Sequence, residues 1–84
     1  MYKIQLLKSA AKEFRDLDDT TKRRITEKID KLIEEPRPRG VRKLRGHKSL
    51  YRIRVGSFRI VYDINEEIEL IQVTRIRHRS EVYK

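Results

Sequence analysis

Leu50-Tyr51-Arg52-Ile53-Arg54-Val55-Gly56-Ser57-Phe58-Arg59-Ile60-Val61-Tyr62 reads as two strands joined by a two-residue turn. Apolar and aromatic residues alternate with arginines on either side of Gly56-Ser57, the period-two pattern of a half-buried strand. Gly followed by a second residue suits a type II′ turn, whose first position needs a positive φ. That turn sets a register with Val55 opposite Phe58, Arg54 opposite Arg59 and Arg52 opposite Val61. Side chains alternate between the faces of a strand, so Tyr51, Ile53, Val55, Phe58, Ile60 and Tyr62 share one face, and Arg52, Arg54 and Arg59 share the other. Like charges placed directly across a ladder destabilise it by ~0.2–1 kcal/mol a pair. A bound anion reverses that sign; arginines splayed into water are the plain structural alternative.

Downstream, Ile68–Arg75 is a third strand-like run, so Leu50–Val55, Phe58–Ile64 and Ile68–Arg75 form an antiparallel meander. Its second connection is open at this level. A three-residue turn, Asn65-Glu66-Glu67, puts Val73, Arg75 and Arg77 on the arginine face, whereas a two-residue turn flips them away. The longer turn is favoured because it leaves Ile68, Leu70 and Ile76 facing the apolar side. Upstream, Tyr2–Leu6 alternates as a short strand. Ser9 then offers an N-cap to a first helix striped by Ala10, Phe14 and Leu17. Asp18, Asp19 or Thr20 caps a second helix carrying Ile25, Ile29, Leu32 and Ile33, which Pro36 ends. Pro36 to Gly46 reads as a basic loop. The expected architecture is one α+β domain over residues 1–84: an N-terminal strand, a helical hairpin and a three-stranded antiparallel meander, with the helices on one sheet face and the other face open.

A chain of 84 residues buries only ~60–65% of its unfolded surface, which leaves room for one core. The net charge of +9 is localised. Residues 1–35 carry nine Lys/Arg against eight Asp/Glu and residues 63–84 carry four against five, while residues 36–62 carry seven Arg and two Lys with no acid. Such a patch seeks phosphate, and its arginines suit forked contacts to phosphate oxygens. No apolar run is long enough for a membrane span, and Met1 to Gln5 lacks a signal core. Without cysteine there is no disulfide framework and no thiolate metal site, which fits a cytoplasmic protein.

No Gly-rich phosphate loop is present, and none of the four serines lies in a Gly-x-Ser-x-Gly elbow. His47 and His78 are too few and too far apart in sequence to suggest a metal site, though a histidine pair can cleave RNA by acid–base chemistry. Tyr83, behind the cations Arg75, Arg77, His78 and Arg79, can stack a splayed base or handle a proton. A frayed tail is the competing reading.

The order of these elements, together with Lys43-Leu44-Arg45-Gly46, Tyr51-Arg52-Ile53-Arg54, Phe58-Arg59-Ile60-Val61-Tyr62 and Arg79-Ser80-Glu81-Val82-Tyr83, resembles the RelE branch of the RelE/ParE toxin superfamily over nearly the whole chain. The resemblance implies a bacterial or archaeal toxin that cuts messenger RNA in the ribosomal A site, with neither metal nor small-molecule cofactor. It also implies a RelB-like antitoxin partner, acidic or amphipathic. The family's active residues fall on Arg52, Arg54, Arg59, Arg77 and Tyr83. Lys43, Arg45, Lys48, Arg75, His78 and Arg79 are read as contacts to RNA or ribosome, with His78 in reserve as a base. Best-known members have lysines where this chain has Arg52 and Arg54, and arginine, always protonated, cannot serve as a base. The chain also ends one residue past Tyr83, without the further helix some members carry. Two rivals remain at this level: a ParE-like inhibitor of DNA gyrase, and an RNA-binding module without catalysis.

Overall fold

A computed structural model describes residues 1–78. The order is β1 (Lys3–Leu6), α1 (Lys8–Arg15), α2 (Asp19–Glu34), β2 (Arg42–Lys43), β3 (Leu50–Val55), β4 (Phe58–Asn65) and β5 (Leu70–His78). The strands form one sheet in the order β1-β5-β4-β3-β2. β1 runs parallel to β5, and the other pairings are antiparallel. This is the α+β arrangement expected from the sequence.

Asp18 starts α2 by accepting the Thr21 N–H at 2.9 Å, and that bond holds its carboxyl below the ordinary range. Ile25, Ile29 and Leu32, spaced at i, i+4 and i+7, form its buried stripe. Glu35, which precedes Pro36, is non-helical, as proline demands of its predecessor. The stripe packs with Ala10 against Tyr51, Ile53, Ile60, Tyr62, Ile64, Ile71, Val73 and Ile76 on one sheet face. Each such aliphatic side chain contributes about 1.5–3 kcal/mol when fully buried. Neither helix is long and apolar enough to cross a membrane.

Three expectations need correction. Ser9 does not cap α1; Leu7 holds the N-cap position without a side-chain bond. The Leu7 N–H still belongs to the sheet, bonding Val73 O at 2.9 Å, so strand passes directly into helix. Ser9 Oγ instead donates to Thr74 O. Second, the basic loop is not wholly irregular: Arg42 and Lys43 form β2, paired with Arg52 and Tyr51 of β3. Its approach is tied down by Tyr62 Oη donating to Pro36 O at 2.7 Å, and by Arg37 bonding both the Tyr51 hydroxyl and Glu66.

Third, the β4–β5 connection is longer than the favoured three residues. Asn65 pairs with Leu70 across residues 66–69. Asn65 Oδ1 accepts from the Glu67 and Ile68 amides, and Glu69 takes φ 51°. The extra residue alone would reverse the faces of β5. Accordingly Val73, expected beside the arginines, is buried in the core, Leu70 lies on the opposite side and Ile68 is exposed. A β-bulge then restores the parity: Val73 pairs with Tyr62 and Arg75 with Val61, leaving Thr74 as the extra residue. Thr74 Oγ1 donates to Val61 O at 3.1 Å. Beyond it Ile76 enters the core, and Arg75 and Arg77 fall on the sheet face opposite the core, beside Arg59 and Val61, as expected.

Candidate functional site

Ladder register builds the site in two rows. Arg42, Arg52, Val61 and Arg75 lie side by side across β2, β3, β4 and β5. One step along, Arg54, Arg59 and Arg77 form the second row. The turn that aligns them has Gly56 at φ 58° with Ser57 outside the positive-φ region, as a type II′ turn requires. The next row in the other direction carries Leu50, Asp63, Gln72 and Gln5, so the arginine field ends there. Asp63 in that row accepts a hydrogen bond from Ser49 Oγ.

Gly40, Arg42, Arg52, Arg54 and Arg59 line a cleft of about 290 Å³. Gly40 takes φ +90° and faces open space, so backbone conformation is what calls for glycine there. Arg59, central in its row, is only 3% exposed and is the buried charged side chain among the described residues. Desolvating a guanidinium is costly, and in this row its ladder neighbours on both sides are also cationic. On the β5 side, Glu13 of α1 reaches Arg75 Nη2 at 2.9 Å and Arg77 Nε at 3.5 Å. Guanidinium groups from β2, β3 and β4 thus line one volume suited to an anion with several oxygens, with Arg75 and Arg77 beside it on β5.

Of the residues proposed from sequence, the fold brings together Arg52, Arg54, Arg59, Arg75 and Arg77. Lys43 does not join them: it pairs with Tyr51 and so belongs to the opposite face. It lines, with Arg45 and Lys48, a separate open surface on the loop to Lys48. His78 pairs with Phe58 and meets its ring edge-on at 5.4 Å, again across the sheet from the arginines. Arg79 and Tyr83 lie outside the described residues. Sequence reasoning passed over Arg42 and Glu13. For Arg42 the signal was the apolar-to-basic alternation Val41-Arg42; for Glu13 it was a carboxylate three residues after Ala10, beside the apolar stripe of α1.

Residues 4–83 match the family model described as the ParE toxin of the type II toxin–antitoxin system parDE. A protein of Escherichia coli named as a RelE-like toxin is 34% identical over 86 residues, covering 98% of this chain and 90% of that one. The chain belongs to the RelE branch of the RelE/ParE toxin superfamily. The isolated RelE toxin of E. coli superposes with a TM-score of 0.84 at 31% identity, covering 99% of this chain and 92% of that one. The RelE–RelB complex of Pyrococcus horikoshii gives 0.83 at 32% identity, covering 93% and 94%. As a RelE-branch member the chain is a type II toxin-family protein, and its relatives of known structure include toxins solved with their RelB antitoxins.

Proposed function

We propose that this RelE-family protein is an endoribonuclease that cuts messenger RNA in the ribosomal A site. The observation that carries the reading is the row Arg54–Arg59–Arg77, drawn from three strands, with its central guanidinium 3% exposed. The 2′-hydroxyl of one nucleotide attacks its own 3′-phosphate. A 2′-O–P bond forms, the P–O5′ bond breaks, and the products are a 2′,3′-cyclic phosphate and a 5′-hydroxyl. The attacking hydroxyl gives up its proton and the departing 5′-oxygen gains one.

Arg52, Arg54, Arg59 and Arg77 bind the phosphate and stabilise the added negative charge of the pentacoordinate transition state, with Arg42 and Arg75 extending the first row. Being permanently protonated, they supply charge and not basicity. Proton handling or base stacking falls to Tyr83, on the family resemblance. His78, set against Phe58 on the other face, is poorly placed for either. A protein with so little acid–base equipment relies on its partner for alignment, and in-line alignment can supply ~7–11 kcal/mol of the barrier. The ribosome supplies it here. Lys43, Arg45, Lys48 and Arg79 contribute affinity for RNA or ribosome, and a RelB-like antitoxin restrains the toxin in the cytoplasm.

Mapping new 5′ ends on messenger RNA in programmed ribosomes, with and without the protein, tests the reading, with free RNA as comparison. Cleavage should be fast on the ribosome and slow on free RNA; intact message, or equal rates on both, refutes it. The parDE description of the matching family model makes gyrase inhibition the reading to separate, and a supercoiling assay does so.

A further inference from the structure

Glu13 is set against its own helix. It lies in the last turns of the eight-residue α1 (Lys8–Arg15), where the helix dipole disfavours an acid, and its side chain is only 21% exposed. Three donors compensate. Oε1 accepts the Ile76 N–H at 2.8 Å, and Oε2 lies 2.9 Å from Arg75 Nη2 and 3.5 Å from Arg77 Nε. Pairing of β1 with β5 stops at Leu6 and Val73, so beyond the bulge the outer edge of β5 has no neighbouring strand among the described residues. α1 takes over that edge, Ser9 bonding Thr74 O and Glu13 bonding Ile76 N. One carboxylate therefore grips the strand between two arginines and both of their guanidinium groups. Arg75 depends on it further, because its Nε is buried with no hydrogen-bond partner among the described residues.

We propose that Glu13 is a positioning residue for phosphate chemistry: it aims Arg75 and Arg77 at the scissile phosphate and holds down the charge of the patch. The inference rests on the nuclease reading for its effect on rate, but not for its effect on affinity. Two consequences of opposite sign follow. Without the negative charge, the patch gains one net positive unit and grips RNA more tightly. Arg77, with its ion pair to Glu13 lost, is aimed less well and stabilises the transition state less. A side chain that merely closes the strand edge leaves the cleavage rate unchanged when it is replaced by an isostere that keeps the Ile76 N–H bond.

The test uses Glu13→Gln, which is isosteric and keeps an acceptor for the Ile76 N–H, beside Glu13→Asp, which keeps the charge. Affinity is measured with a short single-stranded RNA carrying 2′-O-methyl groups, which cannot be cut, across a salt series. Rate is measured as single-turnover cleavage on programmed ribosomes, and melting curves confirm folding. Glu13→Gln should bind about 3–5-fold tighter, the scale of one uncompensated charge near solvent, with a salt slope steeper by up to ~0.7. Its cleavage rate should fall ~10–100-fold, as expected for a misaimed group. Glu13→Asp should keep wild-type affinity and an intermediate rate. Unchanged or weaker RNA binding by folded Glu13→Gln overturns the proposal, as does an unchanged rate. If the wild-type protein leaves ribosome-bound message uncut, the nuclease reading falls, and the affinity series alone then decides for or against Glu13.

Discussion

Arg54→Thr should make the protein more stable and nearly inactive. Arg54 is exposed and stands directly opposite Arg59, which is buried. Threonine suits a strand, so the substitution chiefly removes one like-charge ladder pair, about 0.2–1 kcal/mol. For a domain of this size each kcal/mol shifts the melting temperature by about 4–8 °C, so melting should rise by ~1–8 °C in phosphate-free buffer. Cleavage should move the other way, because losing one donor from a preorganised site costs roughly 10²–10³ in turnover. Inorganic phosphate should stabilise the wild type, by about 2.7 kcal/mol at a hundred times its Kd, and should stabilise the variant only at higher concentration. Calorimetry with and without phosphate, beside single-turnover cleavage on ribosomes, measures all three. A lower melting temperature without phosphate, or a cleavage rate within about twofold of wild type, would mean that the arginine rows serve the fold and not an anion.

Replacing Lys43, Arg45 and Lys48 together by alanine should weaken ribosome binding and flatten its salt dependence by ~0.7–0.9 for each phosphate no longer neutralised, with a smaller effect on the rate of the bound complex. Filter binding across a salt series checks this. Tyr83→Phe should lower turnover more than ribosome affinity, which a rate-against-binding comparison reads directly. Tyr62→Phe loses the bond to Pro36 O and should cost about 0.5–1.5 kcal/mol in denaturant melts. Burial also raises the Tyr62 phenol above its ordinary value of 10.0. Its contribution is therefore whole below about pH 10 and is lost as pH rises from there toward the folded-state value. Stability measured from pH 8 upward should fall less steeply in Tyr62→Phe than in the wild type.

Much of the sheet was legible because its rules are local. Gly56-Ser57 admits one tight turn, and strand alternation then carries Arg52, Arg54 and Arg59 to one face without reference to the rest of the chain. The same holds for α2, where Asp18 and Pro36 bracket a stripe with helical period. The β4–β5 connection shows where such reasoning stops. The favoured loop was one residue too short, yet Arg75 and Arg77 reached the expected face, because the bulge at Thr74 absorbs the additional residue. Loop length and bulge offset one another, and alternation alone cannot tell the pair from a regular strand after a shorter turn.

Residue order thus settled the hairpin, its arginine face and the capped helix, which follow from neighbours a few positions apart, and it carried the family resemblance through the order of motifs along nearly the whole chain. Folding in three dimensions added the pairing of Arg42 with Arg52, the burial of Arg59, the exile of Lys43 and His78 to the far face, and the grip of Glu13 on β5. Each of these depends on which strand lies beside which, and at what offset. A two-residue edge strand and a carboxylate meeting a strand 63 positions away leave at most a local trace, which marks the residue without naming its partner.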